Sequence, residues 1–160
     1  MTLPLPACLY LVNSLDNTPA ALTALLSPLP TNDPIWDTSP DPDRFPLREI
    51  VAHLADWEDV WRERLERTLI EDNPLIPRPD INQRAEKQGY ADADPQESLA
   101  HFQERRVRLT TWLRSLPTDA WSRPARFDRM GDLTMDGLVA LALAHDSYHV
   151  RQISEWLAAD

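Results

Sequence analysis

Glycine is scarce in this chain, with three residues in 160. So few cannot supply the tight, positive-φ turns on which β-rich folds depend. Cysteine is nearly absent too. A single residue, Cys8, excludes any disulfide framework within the chain and fits a reducing compartment. Lysine occurs once, at Lys87, and the other basic residues are all arginine; 16 basic against 26 acidic side chains leave a net charge of −10. That balance lacks the basic surface that nonspecific binding to nucleic acid or anionic lipid requires, so neither partner is expected, although a local basic pocket remains open. Several arginines sit beside acids on helix faces, where solvated i, i+4 pairing is their ordinary use. No apolar run approaches the roughly 20 residues of a membrane span. Leu5-Pro6-Ala7-Cys8 resembles a lipoprotein cleavage box, but no basic segment precedes it and too few residues remain for an apolar signal core. The expected protein is soluble and cytoplasmic.

What is present in quantity is proline: fifteen residues, most of them between apolar-periodic stretches. With 42% hydrophobic residues, this describes long helices joined by proline-rich loops, an all-α fold with one core over residues 1–160. Residues 7–27 carry the first apolar stripe (Leu9, Val12, Leu15, Leu22, Leu25, Leu26), interrupted at Thr18-Pro19 by either a kink or a junction of two helices. Six prolines make 28–46 a long loop, with Trp36 its expected anchor to the core. Residues 46–71 form the second helix, with a buried face of Ile50, His53, Leu54, Trp57, Val60, Trp61 and Leu65. After Pro74, Pro77 and Pro79, the polar segment Ile81 to Tyr90 has room for a short helix. The third long helix opens on a capping box, Asp94-Pro95 with Glu97, and runs through Leu99, Phe102, Leu109, Leu113 and Leu116 to Pro117. Arg106 occupies an otherwise apolar slot in it, either as a buried ion-pair partner or snorkelling to the edge. Residues 117–133 read as a loop carrying Trp121 and Gly131, and no β-alternation is convincing. The last helix runs from Thr134, an N-cap residue, to Leu157. Four amphipathic helices of this length pack as a four-helix bundle.

The stripe of the last helix is Leu138, Ala142, His145, His149, Gln152 and Trp156. Two histidines four apart stand one turn apart on one face, where both imidazoles can grip one ion. His53 lies inside the second helix's stripe. Three of the four histidines thus occupy buried faces, while His101 reads as surface. Three neutral imidazoles make an open metal site that suits zinc first, and nickel or iron next. The alternative is a set of hydrogen-bonded core histidines. Asp56, one turn from His53, is a candidate to accept from its ring.

The segments Arg48-Glu49-Ile50-Val51-Ala52-His53-Leu54-Ala55-Asp56-Trp57-Glu58, Gly131-Asp132-Leu133-Thr134 and His145-Asp146-Ser147-Tyr148-His149-Val150-Arg151-Gln152-Ile153 resemble the DinB/YfiT-like superfamily of metal-binding four-helix bundles. The likeness spans nearly the whole chain. The family's metal triad, one histidine on the second helix and a pair four apart on the last, lands on His53, His145 and His149. Pro46 departs from the serine or threonine that often opens the second helix. The resemblance implies an up-down-down-up bundle and a homodimer.

It also implies a function. Relatives include transferases and isomerases that use a low-molecular-weight thiol such as bacillithiol, mycothiol or glutathione, and a metal holds a thiol as the nucleophilic thiolate. The expected activity is a metal-dependent transfer joining such a thiol to an electrophilic small molecule. Gln152 is then placed to orient a ligand or a liganding ring, and Arg84 and Arg106 are candidates for an anionic substrate. Two further readings stand beside it. One is a metal-dependent hydrolase; His145-Asp146-x-x-His149 puts an acid where helical metalloproteases have glutamate, one methylene longer. The other is a stress-response protein that binds metal or a small ligand without catalysis.

Overall fold

The computed structural model describes residues 2–159. Its elements are α1 (Leu5–Leu26), α2 (Leu47–Ile70), β1 (Leu75–Ile76), α3 (Ile81–Gln88), α4 (Pro95–Ser115), β2 (Pro124–Phe127), β3 (Gly131–Thr134) and α5 (Met135–Leu157). The four long helices form a bundle in which α1 packs on α4 and α5, and α2 on α4 and α5. Consecutive helices α1 and α2 therefore face each other across the diagonal, as do α4 and α5. The long 28–46 segment spans the first diagonal. Directions follow from the cross-links. Leu3 bonds Asp136 and Thr18 bonds Asp146, so α1 and α5 run parallel. Ala55 accepts from Arg105, and a turn and more further on Arg62 lies 4.0 Å from the Trp112 ring centroid, so α2 and α4 also run parallel. Trp156 meets Phe45 while His145 meets His53, which sets α5 antiparallel to α2. The topology is up-down-down-up.

α1 is continuous through Pro19, which is buried inside it. Proline has no N–H, so the Leu15 carbonyl four residues earlier loses its helical donor. Arg106 supplies the missing hydrogen bond at 2.7 Å from α4. The residue that interrupts the pattern is thus accommodated by a tertiary contact. Pro46 stands at the N-cap of α2 and offers no side-chain cap, whereas Asp94 accepts from the backbone N–H groups of both Gln96 and Glu97. Thr134 occupies the N-cap of α5, but its hydroxyl bonds the Asp136 carboxylate instead of a backbone N–H. Trp36 is buried and donates to the Pro30 carbonyl, which pins the long loop as expected.

The 117–133 segment is not an irregular loop. β2 pairs antiparallel with β3 and parallel with β1, in the order β1-β2-β3. The hairpin turns at Arg129 and Gly131, both at positive φ. Ile76, Ala125 and Phe127 point into the bundle and cover one end of its core. Strands of two and four residues are too short for alternation to register in sequence, and the pairing of β1 with β2 joins segments far apart in the chain.

The core falls into two apolar layers. One gathers Val12, Leu15, Trp61, Leu109, Trp121 and Leu138 at the sheet end. The other gathers Leu22, Trp36, Leu54, Phe102 and Trp156 at the opposite end. Between them lies a buried polar layer. Arg106 donates to Glu58 at 2.8 and 2.6 Å and to Asp146 at 2.6 and 3.1 Å, and Thr18 donates to Asp146 at 2.8 Å. Every long helix contributes to this knot.

Candidate metal centre

At the level of the polar layer, α2 and α5 face each other across a groove. α2 presents His53 there, and α5 presents His145 and His149. One ring nitrogen from each of the three lies within 4.8 Å of the others. His53 Nε2 and His145 Nε2 are 3.0 Å apart. Two imidazoles bound tetrahedrally to one zinc ion place their nitrogens roughly 3.3 Å apart, so the donor set fits such an ion in number, type and spacing. His149 directs Nδ1 to Gln152 Oε1 at 2.9 Å. Gln152 accepts there, which fixes the tautomer and leaves Nε2 of His149 with a free lone pair.

The electrostatics favour neutral rings. Burial, and then the neighbouring His149, pushes the pKa of His53 down to about 3. Burial lowers His149 to about 4, partly offset by Gln152 and Asp146. His145 falls well below its ordinary value, first through burial and then through His149 and His53. At pH 7 all three expose lone pairs instead of protons, as a cation site requires.

The rings are held by aromatic packing more than by hydrogen bonds. His53 Nδ1 and His145 Nδ1 are buried with no hydrogen-bond partner among the described residues. His53 sits against Trp57 at 4.4 Å and Phe45 at 5.8 Å between ring centroids. His145 stacks on Trp57 at 5.7 Å and 12° and meets Trp61 edge-on. Asp56 is therefore not the acceptor for His53. Its carboxylate is taken by Arg84, in a paired contact, and by the Tyr90 hydroxyl at 2.6 Å. Distance along the helix suggested the His53 contact; the docking of α3 and of Tyr90 diverted it.

Arg84 is consequently neutralised and does not line the histidine cavity. Arg106 is corrected more firmly as a substrate ligand. It is fully buried, and all its side-chain hydrogen bonds go to Glu58, Asp146 and the Leu15 carbonyl. Asp146 is likewise in the core, bonded to Arg106 and Thr18. It cannot serve as the base of a metalloprotease-like motif. Glu58 was overlooked in the sequence, although it sits in an apolar slot between Leu54 and Trp61. Burial pushes its carboxyl up, against the opposing pull of Arg106. The available signal was three charged residues, Glu58, Arg106 and Asp146, each on an otherwise apolar face.

The histidines border a cavity of about 570 Å³. Phe45, Trp57, Pro79, Ile81 and Tyr148 form its apolar walls, and Arg44 and Arg78 contribute cations. Arg44 lies 4.4 Å from the Trp156 ring and also pairs with Glu155 at 3.6 Å. The end of the 28–46 loop thus forms part of the wall. Among the described residues, no helix is long and apolar enough to cross a membrane.

Known proteins share this fold. A Bacillus subtilis (strain 168) protein named "Putative metal-dependent hydrolase YfiT" is 28% identical over 145 residues, covering 90% of this chain and 80% of its own. A solved structure of YfiT from Bacillus subtilis, described as a probable metal-dependent hydrolase with an unusual four-helix bundle topology, superposes with a TM-score of 0.87 at 25% identity. That match covers 98% of this chain and 89% of the other. The family model described as "DinB superfamily" matches residues 14–153, and the chain belongs to that superfamily.

Proposed function

We propose that this protein is a metal-dependent transferase that joins a low-molecular-weight thiol to an electrophilic small molecule. His53, His145 and His149 hold a divalent transition metal, zinc first among the candidates. The observation that carries this reading is the convergence of three neutral imidazoles on a cavity open to small molecules. The bound ion supplies Lewis acidity, which lets an O–H or S–H group beside it ionise near neutral pH.

The choice of thiol over water rests on the acids around the site. Asp56, Glu58 and Asp146 are all engaged by arginines. Asp43 and Asp80 line the cavity but are solvent-exposed, and Asp80 is occupied in capping α3. A thiol begins near pKa 8.5 and needs little help to ionise, whereas water begins near 15.7 and gains more from a positioned base. Gln152 orients His149, and the aromatic walls orient His53 and His145. Hydrolysis is the second reading, favoured by the designation of the Bacillus relative.

Elemental analysis of untagged protein purified without chelator is the first test. About one transition-metal ion per chain, lost in His149→Ala with helicity retained, is expected. Zinc-loaded protein is then assayed with glutathione, bacillithiol and mycothiol against aryl halide electrophiles, and with ester and amide substrates lacking thiol. Turnover only with thiol supports the transferase. Turnover without thiol replaces it with the hydrolase, and metal without any turnover leaves a binding protein. No metal as purified, and none taken up from added zinc, nickel or iron, overturns the metal reading.

A further inference from the structure

Beside the histidine cavity lies a second chamber of about 510 Å³. The two share Trp57, Arg78, Pro79, Ile81 and His145, so they lie side by side against the same wall. The walls of the second are largely apolar, with Trp61, Phe127, Met130 and Leu141. One charged side chain stands deep within it. Arg64 is 7% exposed. Its guanidinium lies 4.9 Å from the ring centroids of Trp61 and Phe127, and 5.7 Å from that of Trp57.

Arg64 differs from Arg106, the other buried arginine. Arg106 is saturated by two carboxylates and a carbonyl. The Arg64 side chain has no hydrogen bond or ion pair among the described residues, and beyond the helix ladder only its backbone carbonyl is engaged, by Thr68. None of its nitrogens is sealed from solvent, so its unused donors reach the chamber. Burial pulls its pKa down to about 10, which leaves it cationic at pH 7. Glu63 acts on it only from beyond ion-pair distance, and a buried guanidinium with aromatic faces beside it and no paired carboxylate is a cation lacking its counter-ion. At the lip, Arg78 and Arg129 outnumber Asp128, and all three are exposed.

We propose that this chamber seats the second substrate by its carboxylate: Arg64 binds the anionic group, and a flat apolar body lies against Trp57, Trp61 and Phe127 with its far end toward His145. The inference rests on the proposed enzymatic reading for the substrate's role and adds its chemical class, an aryl or similarly flat carboxylate. One deep guanidinium matches one planar monoanion through paired N–H donors, whereas a phosphate dianion would be desolvated against a single charge.

The test compares phenylacetate with phenylacetamide by calorimetry, on zinc-loaded and metal-stripped protein. Phenylacetate is expected to bind about tenfold tighter in both forms, the scale of a charged hydrogen-bonded pair. Arg64→Gln should erase that preference and leave the amide unchanged, and Arg64→Lys should keep part of it. Equal binding of the two ligands, or no detectable binding of phenylacetate, overturns the seat. So does a preference that survives Arg64→Gln but vanishes on stripping the metal, since the carboxylate then sits at the histidines. If Arg64→Gln fails to fold, the Arg64→Lys variant and the wild-type comparison with and without metal still decide. An Arg64-dependent preference in metal-stripped protein stands even if the metal reading fails.

Discussion

Replacing Arg106 with methionine should come close to unfolding this protein. Methionine follows the path of the arginine stem but brings no donors. Glu58 and Asp146, each 2% exposed or less, lose their shared cation, and the Leu15 carbonyl loses the donor that replaced the missing N–H of Pro19. Breaking a buried ion pair by removing one partner costs about 3–5 kcal/mol. The orphaned carbonyl adds about 1–3 kcal/mol. Domains of this size have only about 5–15 kcal/mol in total. With a urea slope of about 2 kcal/mol/M, a loss of 4 kcal/mol moves the midpoint down by about 2 M. Urea melts followed by tryptophan fluorescence and by far-UV circular dichroism measure this. The penalty should shrink as pH falls, because burial already raises the Glu58 pKa and loss of Arg106 raises it further. A carboxyl whose folded pKa exceeds its unfolded value binds more protons when native, so its stabilisation is lost as pH rises through the folded pKa. Replacing all three charges (Arg106→Met, Glu58→Met, Asp146→Leu) should recover much of the loss, since no buried charge is then left alone. A single-variant shift under about 0.5 M, or a triple variant no better than the single, would refute this account of the polar layer.

Three other expectations follow from the site and its surroundings. Gln152→Ala removes the acceptor that orients His149 and should weaken zinc affinity about 10- to 100-fold by competition titration, with the fold intact. In metal-stripped protein, His53 and His149 titrate near 3 and 4 when folded and near 6.5 when unfolded. The unfolded chain then binds more protons across that window, so stability should fall on acidification from pH 6.5 toward 4, by up to about 1.4 kcal/mol per pH unit per histidine; a flat profile would contradict the burial. Tyr90→Phe deletes the hydroxyl that donates to Asp56 and should cost about 1 kcal/mol in urea melts without changing metal content, because Asp56 does not touch His53.

The local pattern carried much of this protein by itself. Period-3.6 stripes gave the four long helices, because a bundle buries one face of each helix and the sequence must record which face. The stripes of α2 and α5 also contained His53, His145 and His149, so the candidate ligands were legible before any packing was known. Asp94 marked the start of α4 for a reason confined to a few residues, a carboxylate that caps the first turn, whereas Gly89, which ends α3 at a left-handed φ, lies inside the Ile81 to Tyr90 segment.

What required the tertiary structure was every choice of partner. Asp56 had a histidine one turn away and an arginine 28 residues away, and it took the arginine. Arg106 was recognisable as misplaced, but not as the donor that completes α1 at Pro19. The small sheet stayed hidden because β1 and β2 are separated by α3 and α4, and their pairing leaves no local trace. Nothing in the sequence sets Arg64 apart from the other arginines of α2; only the packing of Trp61 and Phe127 beside it places it in the wall of a cavity. A sequence records which side of each helix is apolar, since that preference is written residue by residue. Which charge meets which depends on how whole helices dock, and that is decided only when the bundle closes.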